Sequence, residues 1–247
     1  MRLAALILAL ALATNLIAPR SWAIPAPPES LAAADQAYRE RGDAARARQA
    51  LSLYRKLAEK TPDSDSLWRV SMACYFVGLR LTEDSDAKEK LFAEGREAGL
   101  QAAKLAPDCA ACHFWAAVNI ALHGETVGIF KSISVLPVVE AQLQETIRLD
   151  PTYAGAGAYR ILGIIQQKLP GILGGSNRRA REYFEKSIAL APDEPLGFLF
   201  LARFEKSVED DADAARRLVK RALAIPPEKL DRLESIEARE ELLKWNP

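Results

Sequence analysis

The sequence predicts an all-α protein built as a solenoid of helical hairpins, and three observations support this. Amphipathic segments that end in a proline occur five times along the 247-residue chain. Apolar residues within these segments recur at helical spacing. No stretch of the sequence alternates apolar and polar residues in the way of a half-buried strand. Because one helix pair cannot bury its apolar face alone, we expect the pairs to form a continuous stack.

The repeat is defined by the prolines that follow the amphipathic segments. They are Pro62, Pro107, Pro151, Pro192 and Pro226, at spacings of 45, 44, 41 and 34 residues. The last spacing is the tetratricopeptide period, in which two helices form one unit. Small or apolar residues recur 12, 8 and 5 positions before most of these prolines, where the second helix of such a unit crosses the first; in the last unit these positions hold Ala214, Leu218 and Arg221. We therefore expect a single tetratricopeptide-like domain over residues 30–247.

The register places each hairpin along the chain. The predicted first and second helices are 30–41 and 44–60, 64–81 and 86–105, 108–122 and 137–149, 152–168 and 177–190, and 194–207 and 211–224. A charged segment, 228–245, is predicted to form a capping helix with its polar face outward.

Two insertions lengthen the third and fourth hairpins. They cover residues 123–137 and 168–177, and insertions in repeat proteins are often found on the binding face. Pro137 is predicted to begin a helix, since a proline in the first helical position loses no hydrogen bond. Gly174 and Gly175 are predicted to form a tight turn, which makes this pair a candidate for contact with a ligand or partner.

The first 23 residues have the pattern of a secretory signal peptide. Arg2 precedes an unbroken apolar run, and the small residues Ser21 and Ala23 occupy the two positions that a signal peptidase reads. The apolar run is short for a membrane span. We expect cleavage after Ala23, a Pro-rich tether at 24–29, and a periplasmic or secreted mature protein without a transmembrane segment.

The composition argues against nucleic acid as a partner and against catalysis. Removal of residues 1–23, which hold two basic and no acidic side chains, leaves a net charge of −2, whereas nucleic-acid-binding proteins carry a basic surface. The carboxylates recur beside Lys and Arg at helical spacing, as on solvated faces. The chain has no phosphate-binding glycine loop, HExxH motif or nucleophile elbow. The sequence predicts a binding or assembly protein without cofactor or metal, and not an enzyme.

One short motif, Cys109-Ala110-Ala111-Cys112-His113, matches the Cys-x-x-Cys-His pattern of a c-type haem attachment site. His113, however, stands six residues after its proline, at the packing position that Trp68 and Phe198 occupy in other units. Three alternatives stay open: a local disulfide or reversible dithiol between the cysteines, buried or idle thiols, and haem. Zinc would lack a clear fourth ligand. A dithiol or a haem would make the chain a redox protein, which is the alternative to a binding function.

The stretch from His113 to Phe204 contains, in this order, the segments HFWAAVNIALHG, GIFK, DPTYAGAGAYRILG and LPGILGGSNRRAREYFEKSIALAPDE. This order resembles the T-component family associated with TRAP transporters. The resemblance implies a tetratricopeptide-like periplasmic accessory protein that partners a solute-binding protein and admits a small apolar or carboxylate ligand. A second copy of the chain is a further candidate partner.

Arg160 is the sharpest candidate for a ligand contact. It interrupts an apolar helical segment between Gly157 and Gly163, where small residues let a neighbouring helix or ligand approach. Its guanidinium is suited to bidentate binding of a carboxylate. The alternative is a structural ion pair, for which the candidate acids are Glu125, Glu140 and Glu182.

Four further residues are candidates for ligand or partner contact. Trp115 and Tyr159 both follow their prolines by eight residues, a shared register that also favours packing in the core. Phe130 and Lys131 lie in the first insertion and have no counterpart in the other units, which favours a contact surface.

Overall fold

The computed structural model describes residues 30–245. The predicted signal peptide, its cleavage site and the Pro-rich tether lie outside the described residues.

The described chain consists of helices joined by short connections. The helices are α1 (Leu31–Arg39), α2 (Ala44–Lys60), α3 (Ser64–Arg80), α4 (Ser85–Leu105), α5 (Ala110–Val127), α6 (Ile129–Leu149), α7 (Tyr153–Lys168), α8 (Asn177–Leu190), α9 (Pro195–Ser207), α10 (Ala212–Leu223) and α11 (Leu233–Lys244), with 3-10 turns at Gly171–Leu173 and Pro227–Lys229. Helices α1 to α10 form five successive hairpins. The predicted all-α helical-hairpin solenoid with a C-terminal capping helix is confirmed.

Short polar residues begin many of the helices. Asp43, Asp63 and Asp84 each accept a hydrogen bond from a backbone N–H in the first turn that follows. Such capping satisfies donors that the helix itself leaves unpaired. The sequence therefore determines several hairpin boundaries locally, before any packing is considered.

The repeat register is confirmed in the first four units and is wrong by one residue in the last. Ala180 and Phe184, which are 12 and 8 positions before Pro192, are completely buried, and the corresponding residues of the earlier units are buried too. In the last unit the predicted Leu218 is buried, but Ala214 is only partly buried and Arg221 is exposed. Ala215, Val219 and Ala222 are buried too, and these three have the expected spacing from Pro227 instead of Pro226.

The first insertion is helical, contrary to the prediction. Helix α5 continues to Val127, and α6 begins at Ile129 after the single residue Gly128. Pro137 consequently lies inside α6 and does not begin it. Apolar side chains of the added turns, including Val135 and Leu136, pack against the core around α5 and α7, and this burial offsets the hydrogen bond that a proline removes from a helix.

Helix α11 caps the solenoid, but its acidic face does not point outward as predicted. Ala238 and Leu242 pack into the core formed by α8, α9 and α10. Leu233, at the other end of α11, packs against the core of the N-terminal hairpins. The helix thus joins both halves of the solenoid and directs carboxylates across its interior.

Candidate functional site: the central cavity

The inner face of the solenoid forms an open cavity of about 1450 Å³. Side chains from α1, α3, α5, α6, α7, α9 and α11 contribute to its wall, whereas the described residues of α2, α4, α8 and α10 do not. The first helices of the hairpins therefore face inward. The two added turns of α6 complete one side through Ile133 and Leu136.

One wall of the cavity is aromatic. The rings of Phe114 and Trp115 have centroids 5.0 Å apart, and Tyr75 lies 5.3 Å from Trp115. Trp115 Nε1 donates a hydrogen bond of 3.0 Å to the Tyr153 hydroxyl oxygen. Trp115 therefore packs in the core, as its register favours, and also forms part of the cavity wall, where a ligand can contact it.

Ion pairs with α11 line another side of the cavity. Glu234, Glu237 and Glu241 lie on one face of α11 and pair with arginines of the loop after α1, of α3 and of α9. The nitrogen–oxygen distances are 2.7 Å for Arg41–Glu234, 2.6 Å for Arg80–Glu237 and 2.5 Å for Arg203–Glu241. The sequence alone did not indicate this set. The spacing of the three carboxylates is the available signal, but the same spacing is typical of a solvated helix face.

Arg160 is buried at the cavity, with 7% of its surface exposed. Its guanidinium donates hydrogen bonds to the carbonyl oxygens of Ala154, at 2.8 Å, and of Gly155. Burial lowers the pKa of Arg160 to about 10, and the nearby carboxylate of Glu194 opposes that shift. The side chain is still charged at neutral pH.

The carbonyls that Arg160 binds belong to a left-handed turn at the start of α7. Ala154, Gly155 and Ala156 have φ angles of 53°, 65° and 56°. Left-handed backbone costs an L-residue roughly 1–2 kcal/mol. At Gly155 a side chain would also meet Glu194, whose Oε2 lies 2.7 Å from the position of a Cβ. Arg160 therefore stabilises a turn that the two alanines disfavour.

The glycines flanking Arg160 permit close packing, as predicted. A Cβ on Gly157 would lie 2.9 Å from the Phe114 ring, and one on Gly163 would lie 2.5 Å from the Phe184 ring. The neighbours that approach these two glycines are helices α5 and α8. Gly157 and Gly163 therefore serve helix packing.

Two of the acids predicted as ion-pair partners of Arg160 pair with other basic residues. Glu125 lies 3.9 Å from Lys168, and Glu182 lies 2.7 Å from Arg178. Tyr159 does not line the cavity with Arg160; its ring lies 6.4 Å from that of Tyr183. The structure thus separates these two neighbouring candidates.

Both insertions contribute residues to the cavity wall. Phe130 is 88% exposed and Lys131 is exposed on the first turn of α6. Gly174 has a left-handed φ of 92°, and a Cβ on Gly175 would lie 1.8 Å from the Leu169 carbonyl oxygen. The predicted tight turn at this glycine pair is confirmed.

The Cys109-Cys112-His113 motif lies at the start of α5, away from the cavity. Cys109 and Cys112 form a disulfide, and Cys109 is the N-cap residue of α5. His113 is buried, with Nδ1 2.7 Å from Oε1 of Gln142 and Nε2 3.0 Å from the Pro107 carbonyl oxygen. Neither ring nitrogen is free to bind an iron in this arrangement.

Two further findings bear on the chemistry of the described residues. Within residues 30–245, no three His, Cys, Asp or Glu side chains form a group that could hold a metal ion. No helix in this part of the chain combines the length and apolar character needed to cross a bilayer.

Solved structures share the fold. TTC0263, a thermophilic tetratricopeptide protein of Thermus thermophilus, has a TM-score of 0.63 at 16% identity, over 87% of this chain and 98% of that one. MamA has a TM-score of 0.49 at 18% identity, over 86% of this chain and 97% of that one. At these identities the likeness to TTC0263 shows the tetratricopeptide-like fold alone.

Sequence comparison is more specific about the family. No curated protein matches the chain. The family described as regulator of microtubule dynamics protein 1-3 matches residues 30–246, which include all the helices that build the cavity. The chain therefore belongs to the regulator of microtubule dynamics protein 1-3 family.

Proposed function

We propose that the protein is an exported tetratricopeptide-like binding protein whose cavity takes an elongated apolar molecule with an anionic group. The observation that carries this proposal is the cavity of about 1450 Å³ with its aromatic and aliphatic wall. Pockets for drug-sized ligands have volumes of about 300–1,000 Å³. The interior thus has room for a ligand larger than a simple organic acid.

The wall favours an apolar chain. Aliphatic residues from four helices, such as Leu122 of α5, Leu136 of α6, Ile161 of α7 and Leu199 of α9, face the same space as the aromatic group around Trp115. Burial of apolar area contributes roughly 25 cal/mol per Å². A chain laid along this wall would therefore gain affinity from its length.

The charged groups favour an anion over a cation. The ionisable residues in the wall are Arg41, Arg80, Arg160, Lys168, Arg203 and Arg232 on the basic side and Glu125, Glu234, Glu237 and Glu241 on the acidic side. A guanidinium has five N–H donors, and Arg160 directs two of its nitrogens at carbonyls of α7. Its remaining donors suit a carboxylate or phosphate oxygen.

Calorimetry with oleate, and with oleyl alcohol as its uncharged counterpart, tests this proposal. We expect oleate to bind and oleyl alcohol to bind more weakly, because the alcohol lacks the charge. The variant Ile161→Trp adds bulk inside the cavity and should weaken oleate binding at least tenfold. Leu100→Trp, on α4 outside the cavity, is the matched control. Equal oleate binding by both variants would contradict a ligand site in the cavity.

An accessory role beside a TRAP solute-binding protein is the second candidate function. It is supported by the order of residues from His113 to Phe204 and by a fold class that commonly presents surfaces to protein partners. Affinity capture from the native cell envelope, with the mature chain as bait, tests it. Recovery of a solute-binding protein supports this role, and its absence from repeated captures would contradict it.

The family description names regulation of microtubule dynamics for other members. Co-sedimentation of the mature chain with microtubules tests whether that activity extends to this chain. A chain confined to the supernatant at all protein concentrations would show that it does not.

A further inference from the structure

Large apolar side chains are exposed at the two insertions. Phe130 is 88% exposed and Ile129 67%, while Ile172 is 95% and Leu173 46% exposed. Val127 is also exposed, at 47%. Soluble proteins scatter such residues singly, whereas a group of them marks a surface that contacts a partner or a membrane.

These residues belong to one edge of the solenoid. The segments 127–131 and 168–174 follow the last turns of α5 and α7, and both contribute to the wall of the same cavity. Lys168 of α7 lies 3.9 Å from Glu125 of α5, which brings the two helix ends together. We call these two segments the apolar rim.

The apolar rim is continuous with the cavity wall. Ile129 and Leu173 belong to both the exposed rim and the cavity wall, where Ile133 and Leu136 follow them inward. An apolar chain could pass from the rim to the interior in contact with side chains throughout. A partner that supplies such a chain fits this geometry.

The charge of the rim points to an anionic partner. The ionisable residues of the two segments are Lys131 and Lys168, both basic. The exposed Arg178 and Arg179 follow at the start of α8. Aromatic and aliphatic side chains beside basic residues are the combination by which proteins attach to the interface of an anionic bilayer.

We propose that the apolar rim docks on an anionic lipid bilayer and opens the cavity toward it. The ligand would then move between bilayer and cavity along the rim. This inference rests on the proposed ligand-binding function, because docking alone would not require a cavity. It goes beyond that function by identifying the source of the ligand and the surface that meets it.

Flotation of the mature protein with vesicles tests the docking. We expect it to float with phosphatidylcholine vesicles that contain phosphatidylglycerol, and much less with phosphatidylcholine alone. The double variant Phe130→Asp and Ile172→Asp should reduce flotation at least tenfold. The matched control is Leu100→Asp with Leu105→Asp, two exposed leucines of α4 outside the rim. The variant Lys131→Gln with Lys168→Gln should lose the preference for phosphatidylglycerol while retaining the apolar contact.

Oleate calorimetry on the same proteins separates this proposal from the proposed function. A rim variant that binds oleate normally but does not float is folded and supports docking through the rim. Wild-type protein that binds oleate but does not float with vesicles would contradict the docking proposal without affecting the proposed ligand site. Flotation without oleate binding would contradict the ligand site and leave the docking surface. Equal loss of flotation in the rim and control variants would also overturn a specific rim.

Discussion

The guanidinium of Arg41 and the carboxylate of Glu234 form a two-bond pair across the interior of the solenoid, with Nη2 2.7 Å from Oε2 and Nε 3.2 Å from Oε1. The two residues are 193 positions apart in the chain. Their side chains are 10% and 16% exposed. This pair connects α11, the last helix of the solenoid, to the first hairpin.

Replacement of Glu234 by Gln should destabilise the fold. It leaves the largely buried guanidinium of Arg41 without its counter-charge, which costs more than loss of an exposed pair and less than loss of a fully buried one. We expect a decrease of about 1–3 kcal/mol in the free energy of unfolding, measured by urea denaturation. Glu240→Gln, on the exposed side of α11, is the control and should be nearly neutral. Equal effects of both substitutions would show that the Arg41–Glu234 ion pair does not contribute to the free energy of unfolding.

The same pair should make stability depend on pH. Burial raises the pKa of Glu234, but the hydrogen bonds and charge of Arg41 outweigh burial and hold it below its ordinary value of 4.5. A carboxyl with a lowered folded-state pKa contributes stability above its unfolded pKa, and this contribution disappears as the pH falls through the folded-state pKa. The difference in unfolding free energy between wild type and Glu234→Gln should be full at about pH 6 and shrink below about pH 4.5. A difference that stays constant down to about pH 3 would contradict the assignment.

Arg160→Met should lower the melting temperature. The substitution removes two hydrogen bonds to the left-handed turn of α7 and leaves the carbonyls of Ala154 and Gly155 without those donors. Each unpaired buried polar group costs about 1–3 kcal/mol. Arg178→Met, which breaks an exposed pair with Glu182, is the matched control for thermal denaturation.

The same variant also addresses the ligand role of Arg160. Weaker oleate binding under conditions where Arg160→Met is fully folded would show an anion contact in addition to the structural one. Unchanged binding with reduced stability would assign the residue to the turn alone. Unchanged melting would contradict the structural contact.

The sequence determined the repeat because proline spacing and small residues at helix crossings are local features. These features predict that Ala180 and Phe184 pack at a helix crossing and that a neighbour approaches Gly163, as the structure shows. The sequence did not reveal that 129–136 is helical, since Pro137 has the local signature of a helix start and only burial against α5 and α7 overrides it. The pairing of Arg41 with Glu234 depends on how far the stack curves, which no local pattern encodes.

The cysteines give a prediction that separates the remaining alternatives for the Cys109-Cys112-His113 motif. The structure pairs Cys109 with Cys112 and buries Cys74 completely. Burial raises the pKa of Cys74, and the charge of Glu94 adds to that shift. Because the thiolate is the reactive form of cysteine, the folded protein should show no thiol that reacts rapidly with Ellman's reagent.

Thiol titration and absorption spectroscopy check this together. Protein exported into an oxidising compartment should yield one reactive thiol after unfolding and all three cysteines of the sequence after reduction. Protein made in a host with haem-attachment machinery should remain colourless, because a disulfide consumes both thiols needed for thioether bonds and His113 is bonded to Gln142 and Pro107. Three reactive thiols on unfolding without reductant would contradict the disulfide. A Soret band that survives denaturation would instead establish covalent haem and with it the redox alternative.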